Sequence, residues 1–112
     1  MNPKALKYIL DIESILEEIE SIKIRVENSF IQYKGDFVMK RAIERDLEII
    51  GEAVKKLLNE EPTIQLTSAK KIIGLRNRIS HAYDSIEDEL IWGIIQRDIP
   101  LLKKEIQRIR LQ

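Results

Sequence analysis

The stretch that decides the fold is residues 36–58, DFVMKRAIERDLEIIGEAVKKLL. Apolar residues recur through it at spacings of three and four, the pattern of one buried face on an amphipathic helix. Asp36 can cap this helix with its carboxylate. The stripe consists of Val38, Ala42, Leu47, Ile50, Val54, Leu57 and Leu58, and it is widened by Phe37, Ile43 and Ile49. We therefore expect a long helix that begins after Asp36.

Gly51 interrupts this periodic run. A glycine in the middle of a helix costs about 1 kcal/mol relative to alanine, so its presence there often reflects a second backbone that approaches closely. The glycine predicts that another segment of the fold contacts the helix at this position.

The rest of the chain also has a helical pattern. Asn2 and Pro3 predict the start of a first helix, residues 28–35 predict a turn, and residues 59–67 a linker. Ser68 is expected to cap a third helix that ends near His81. The remaining apolar stripes are Leu6, Ile9, Ile12, Leu16, Ile19, Ile22 and Val26 in the first helix; Ile72, Ile73, Leu75 and Ile79 in the third; and Leu90, Ile91, Ile94, Ile95, Leu101, Leu102, Ile106 and Ile109 at the end of the chain.

These helices predict a single all-α domain over residues 1–112, an up-and-down bundle of four to five helices. Asp98 and Pro100 are expected to restart or kink the last helix, because proline removes an internal hydrogen bond. The long apolar stripes bury more surface than a small monomer easily covers. We therefore expect a homodimer.

Composition excludes several classes of function. Nineteen acidic and nineteen basic residues give a formal net charge of zero, so no global attraction to nucleic acid is expected. Cysteine is absent and there is a single histidine, so neither a metal cluster nor any other cofactor is predicted. No apolar run approaches the length of a membrane span, and no signal peptide is apparent. We expect a cytoplasmic protein without a membrane partner.

The local charge distribution is less even than the total. Residues 62–83 contain four basic residues and no acidic residue. The end of this cationic segment overlaps residues 76–84, RNRISHAYD. It contains His81, the only histidine of the chain. Any anionic partner is therefore expected to bind here.

The residue types of this segment suit chemistry at a phosphodiester. A histidine with a pKa near 6.5 can accept and donate protons at neutral pH, and an arginine offers a planar fork of donors to phosphate oxygens. On a regular helix Arg76 and His81 would lie about 140° apart, whereas Arg76 and Ser80 would share a face. Arg76 and His81 can meet at one phosphate if the helix breaks near His81, or if two subunits compose the site.

The pattern Arg76-x4-His81-x-Tyr83 resembles the signature of HEPN-domain ribonucleases, specifically the HepT-like toxins. Asn77 directly after the arginine, the phrase IIGLRNRISHAY (residues 72–83) and the phrase ERDLEIIGEAVKKL (residues 44–57) are similar to that family as well. Together with the helical pattern, the resemblance covers essentially the whole chain.

The resemblance implies a metal-independent endoribonuclease that acts as a homodimer with its cleft at the dimer interface. Its partner would be a minimal nucleotidyltransferase antitoxin that blocks the toxin by transfer of AMP to Tyr83. We assign Arg76 and His81 as catalytic residues, and Asn77, Arg78, Ser80 and Tyr83 as contacts of the RNA substrate.

Two other functions stay open at the level of sequence. The chain could be a non-catalytic helical subunit that binds a nucleotide or a nucleotidyltransferase through the same basic cleft. It could also be a purely structural dimerising bundle without a ligand.

Overall fold

The first and second of the predicted long helices pack against each other at the centre of the fold. The computed structural model describes residues 1–80 and 86–112, with Ser80 described by its backbone only. Helix α1 is Pro3–Arg25, α2 is Phe30–Lys34, α3 is Phe37–Glu60 and α4 is Ala69–Ser80. The described part of the chain contains no strand, which confirms the predicted all-α fold.

The last helix, α5, covers residues 88–110 in three consecutive parts. Asp88–Gly93 and Ile99–Arg110 are α-helical, and Ile94–Asp98 between them forms a π-helical turn in which the Ile99 N–H donates to the Ile94 carbonyl. Pro100 lies in the turn that follows. Because proline cannot donate to the carbonyl four residues earlier, a wider turn accommodates it. The helix therefore neither stops nor restarts at Pro100, and its backbone adjusts by a π turn.

The predicted helix starts are confirmed at Asn2 and Asp36. The Asn2 Oδ1 atom accepts a hydrogen bond of 2.8 Å from the Ala5 N–H, and the Asp36 Oδ1 atom accepts one of 3.1 Å from the Met39 N–H. Residues 28–35, predicted as a turn, also contain the short helix α2, whose first turn is capped by Ser29. These caps satisfy N–H groups that have no partner inside a helix.

The core lies between α1, α3, α4 and α5 and contains most of the predicted stripes. Five predicted stripe residues are instead exposed: Leu6 at 42%, Phe37 at 73%, Val38 at 52%, Leu90 at 36% and Leu101 at 37%. Phe37 and Val38 lie at the start of α3. The helix that precedes them, α2, has only five residues and is too short to cover the whole stripe of α3. The prediction of burial was wrong for these five positions.

Two polar contacts fix the linker between α3 and α4 to the last helix. Glu105 accepts hydrogen bonds from the Thr67 N–H and from the Thr67 hydroxyl, the latter at 2.9 Å. The Ser68 hydroxyl donates to Asp98 Oδ1 at 2.9 Å. Ser68 directly precedes α4, and its hydroxyl connects the start of this helix to the π turn of α5; that its side chain caps α4 stays a prediction.

No helix in the described ranges combines the length and the apolar character that crossing a membrane requires.

Candidate active site

At Gly51 of α3, helix α4 approaches α3 closely. A Cβ atom on Gly51 would overlap the Cβ of Arg76 and would lie 2.9 Å from its Cγ and 3.2 Å from the Ile72 carbonyl oxygen. Only glycine leaves room for this approach. The close contact predicted from the mid-helix glycine is confirmed, and the segment that makes it carries Arg76.

The Arg76 side chain is held between two polar groups. Its Nη2 atom lies 2.7 Å from Glu52 Oε2, and its Nη1 atom donates a 2.8 Å hydrogen bond to Asn77 Oδ1. Glu52 Oε2 is buried and accepts no well-aligned hydrogen bond from the described residues, so its contact with Arg76 is an ion pair. The Arg76 side chain is 26% exposed, which leaves part of the guanidinium accessible to a ligand.

The other predicted site residues lie at or beyond the end of α4. Asn77 and Arg78 are exposed, and Ser80 is one helical turn after Arg76. His81 and Tyr83 lie outside the described residues, so how Arg76 meets His81 stays a prediction. The structure therefore places Arg76 and Asn77 together and leaves the other members of the motif untested.

A groove of about 370 Å³ runs between α1 and α3 and reaches Arg76 at its edge. Basic and acidic side chains alternate along it, and Tyr8 of α1 forms part of its wall. The groove is lined by Lys7, Tyr8, Asp11, Ser14, Ile15, Arg45, Glu48, Ile49, Glu52, Ala53, Lys56 and Arg76. Arg76 is thus accessible from an open surface of the bundle.

Comparison with known proteins gives the same family as the motif. The family model described as Ribonuclease HepT-like matches residues 15–109, which is most of the chain. The chain belongs to the HepT-like ribonuclease family. As a member of this family it is a ribonuclease, and the family predicted from Arg76-x4-His81-x-Tyr83 is confirmed.

Several relatives align with the HepT-like chain over nearly their whole length. A candidate RNase of Caldanaerobacter subterraneus subsp. tengcongensis is 39% identical over 100 residues, which make up 88% of this chain and 89% of the relative. A candidate RNase of Methanocaldococcus jannaschii is 36% identical over 105 residues, 93% of each chain. The protein named Probable ribonuclease HepT of Thermococcus cleftensis is 30% identical over 107 residues, 92% of this chain and 93% of the relative. No solved structure matches the chain.

A buried carboxyl group of this HepT-like chain was missed by the sequence analysis. Asp46 of α3 is only 4% exposed, and its Oδ2 atom has no hydrogen-bond partner among the described residues. Burial raises the pKa of Asp46 from 3.8 to about 7; the neighbouring Glu18 carboxyl of α1 also raises it, while Arg45 lowers it. The available signal was its position, since Asp46 falls three residues after Ile43 and four before Ile50 on the apolar stripe.

Replacing Asp46 with asparagine is expected to stabilise the protein at pH 8 by about 1–3 kcal/mol, or by about 4 °C or more in Tm. The pKa of Asp46 is raised on folding, so the folded state binds more protons than the unfolded state between pH 4 and 7. The contribution of Asp46 to the free energy of unfolding of the wild type is therefore fully present below pH 4 and is lost as the pH rises to 7. Asparagine resembles the protonated acid and removes that loss.

Thermal unfolding of both proteins between pH 5 and 8 measures this effect. The difference in Tm should increase from pH 5 to pH 7 and level off between pH 7 and pH 8. Asp11→Asn is the control, because Asp11 forms an exposed 2.9 Å ion pair with Lys7 that contributes little. A difference in Tm between Asp46→Asn and wild type that does not change with pH would contradict the assignment.

Proposed function

We propose that this HepT-like protein is a metal-independent endoribonuclease and the toxin of a toxin–antitoxin pair. The observation that carries the proposal is the placement of Arg76. The start of its side chain packs against Gly51 and its guanidinium pairs with Glu52, while the side chain remains partly exposed. Arg76 also precedes the only histidine of the chain by five residues, in a family of ribonucleases.

The proposed reaction is attack of an RNA 2′-hydroxyl on the adjacent phosphorus. A base removes the 2′-hydroxyl proton while the new 2′-O–P bond forms; the P–O5′ bond breaks, and an acid protonates the leaving 5′-oxygen. The products are a 2′,3′-cyclic phosphate and a 5′-hydroxyl. His81 acts as the base or as the acid, and Arg76 stabilises the charge that develops on the phosphoryl oxygens.

Asn77, Arg78, Ser80 and Tyr83 are proposed to contact the RNA. Asn77 and Arg78 are exposed at the end of α4, and Asn77 already binds the Arg76 guanidinium. Arginine matches two phosphate oxygens with its donor fork, which suits Arg78 to the backbone of the substrate.

A homodimer fits this reaction, because one histidine cannot easily serve as base and acid in the same step. Two copies of His81 at a shared cleft would supply both. The exposed apolar side chains of Ile31 (82%), Phe37 (73%) and Val38 (52%) support an interface with a second subunit. We propose that the active site lies at this dimer interface.

The proposed partner in the cell is a minimal nucleotidyltransferase that acts as antitoxin. Transfer of AMP to the Tyr83 hydroxyl would add bulk and negative charge beside the proposed site and would repel RNA. A cytoplasmic location fits such a pair and stays a prediction.

Purified protein is expected to cleave RNA in excess EDTA and to leave 2′,3′-cyclic phosphate ends. The reason is that the attacking 2′-hydroxyl needs only a base and charge stabilisation. Gel analysis of the fragments and of their end groups measures the result. DNA of the same sequence is the control and should remain intact, because it lacks the nucleophile.

Complete absence of cleavage by the wild-type protein would favour the non-catalytic alternative, in which the basic end of α4 binds a nucleotide or a nucleotidyltransferase. Cleavage that requires a divalent metal would contradict the metal-independent mechanism.

A further inference from the structure

Glu52 is the only described residue of α3 that forms an ion pair with Arg76. The two residues lie on different helices, and their contact depends on the close approach at Gly51. Glu52 Oε2 is buried although the side chain as a whole is 36% exposed, so this oxygen faces the guanidinium rather than the solvent. Such a contact restricts where the Arg76 guanidinium can lie.

Restriction matters because an arginine side chain is long and flexible. A guanidinium offers five N–H donors, and Nη2 and Nη1 of Arg76 are engaged by the protein's own Glu52 and Asn77. The contacts that the described residues make with Arg76 leave further N–H groups for an outside oxygen. A group whose position is fixed before the substrate binds stabilises developing charge without reorganisation during the reaction.

We propose that Glu52 is a positioning residue that orients Arg76 toward the scissile phosphate. This inference rests on the proposed ribonuclease function. Glu52 itself does not touch RNA in this proposal. It acts through Arg76, and it acts from α3, so it couples the catalytic arginine to the rigid centre of the bundle.

The opposite role is physically possible and gives an opposite result. A carboxylate beside Arg76 could compete with phosphate for the guanidinium and so weaken RNA cleavage. Removal of its charge would then increase the rate, whereas loss of a positioning contact decreases it.

The first experiment compares Glu52→Gln with wild type in RNA cleavage. Glutamine keeps the size of the side chain and removes its charge. We expect kcat to fall about 10- to 100-fold, the size of effect that misplacement of a catalytic group by about 1 Å can produce. KM for RNA should be unchanged or lower, because a negative charge near the phosphate has been removed. A merely structural defect would not separate kcat from KM in this way.

A double-mutant cycle provides the second readout. In an Arg76→Ala background, Glu52→Gln should cause no further loss, because there is no guanidinium left to orient. Glu13→Gln is the matched control. Glu13 forms a 3.1 Å ion pair with Arg110 between α1 and α5, with side-chain exposures of 34% and 41% that are close to those of the Glu52–Arg76 pair.

The third readout does not depend on activity or on the folding of a variant. Exchange of the Arg76 side-chain N–H protons with solvent can be followed by NMR in the wild-type protein. We expect it to be slower than that of Arg78, which is exposed. Equal exchange rates for the two arginines would overturn the proposal.

The outcomes separate this inference from the proposed function. If wild type does not cleave RNA, both are rejected. If wild type cleaves and Glu52→Gln cleaves equally well or faster, the proposed function stands and the positioning role is overturned. An equal loss in Glu13→Gln would also overturn it, because the effect would then not be specific to Arg76.

Discussion

Replacement of His81 by alanine is expected to reduce RNA cleavage by about 10²- to 10⁴-fold, the contribution typical of a general acid or base. His81 is the only imidazole in the chain, so no other histidine can substitute for it. The rate of appearance of cyclic-phosphate ends from a defined RNA measures the effect. Since both copies of His81 are lost in a mutant dimer, the two proton transfers should fail together.

The interpretation requires that the variant remain folded and associated. Circular dichroism and sedimentation should give the same helix content and the same mass for His81→Ala as for wild type. Undiminished cleavage by a folded His81→Ala protein would exclude the proposed mechanism. A variant that loses cleavage and dissociates would indicate a role of His81 at the interface.

Replacement of Gly51 by alanine is expected to destabilise the protein and to displace Arg76. The new Cβ would overlap the Cβ of Arg76, and neither atom is the flexible end of a side chain, so α3 and α4 must separate. Overpacking of this kind costs about 1–3 kcal/mol, which exceeds or offsets the gain of about 1 kcal/mol from helix propensity. Displacement of the arginine should also lower the rate of cleavage by about 10²-fold.

Gly74 is the matched control for this substitution. It lies inside α4, two residues before Arg76, and a Cβ there meets no described atom within 4 Å. Gly74→Ala should therefore stabilise the protein by up to about 1 kcal/mol through helix propensity alone. Thermal unfolding and cleavage rates of both variants provide the test. Equal changes in Tm and in cleavage rate for the two variants would show that the approach of α4 to α3 does not depend on Gly51.

The sequence predicted the helices well because their apolar residues follow the helical period. The caps at Asn2 and Asp36 could also be predicted, since capping uses only neighbouring residues. The exposure of Phe37 and Val38 could not, because it depends on how far α2 extends over α3. The π turn of residues 94–98 was anticipated only as a disturbance near Pro100.

Some features of the candidate site could likewise be predicted from the sequence, and others depend on tertiary contacts. The motif from Arg76 to Tyr83 and the meaning of Gly51 were evident from residue types and spacing. The pairing of Arg76 with Glu52 was not, because the two residues are 24 positions apart and meet only when α4 packs on α3. The burial of Asp46 could have been suspected from its place on the stripe, but the raised pKa also requires Glu18 from α1.

The sequence by itself determined the all-α fold, the family and the identity of the proposed catalytic residues. These follow from periodicity, capping and a short motif, all of which are local along the chain. The tertiary structure decided which acid holds the arginine and which carboxyl is buried, because those contacts join distant segments through side-chain packing. Residues 36–58 therefore specify a helix by their own pattern, while the roles of Gly51 and Glu52 within it arise from the helix that packs against them.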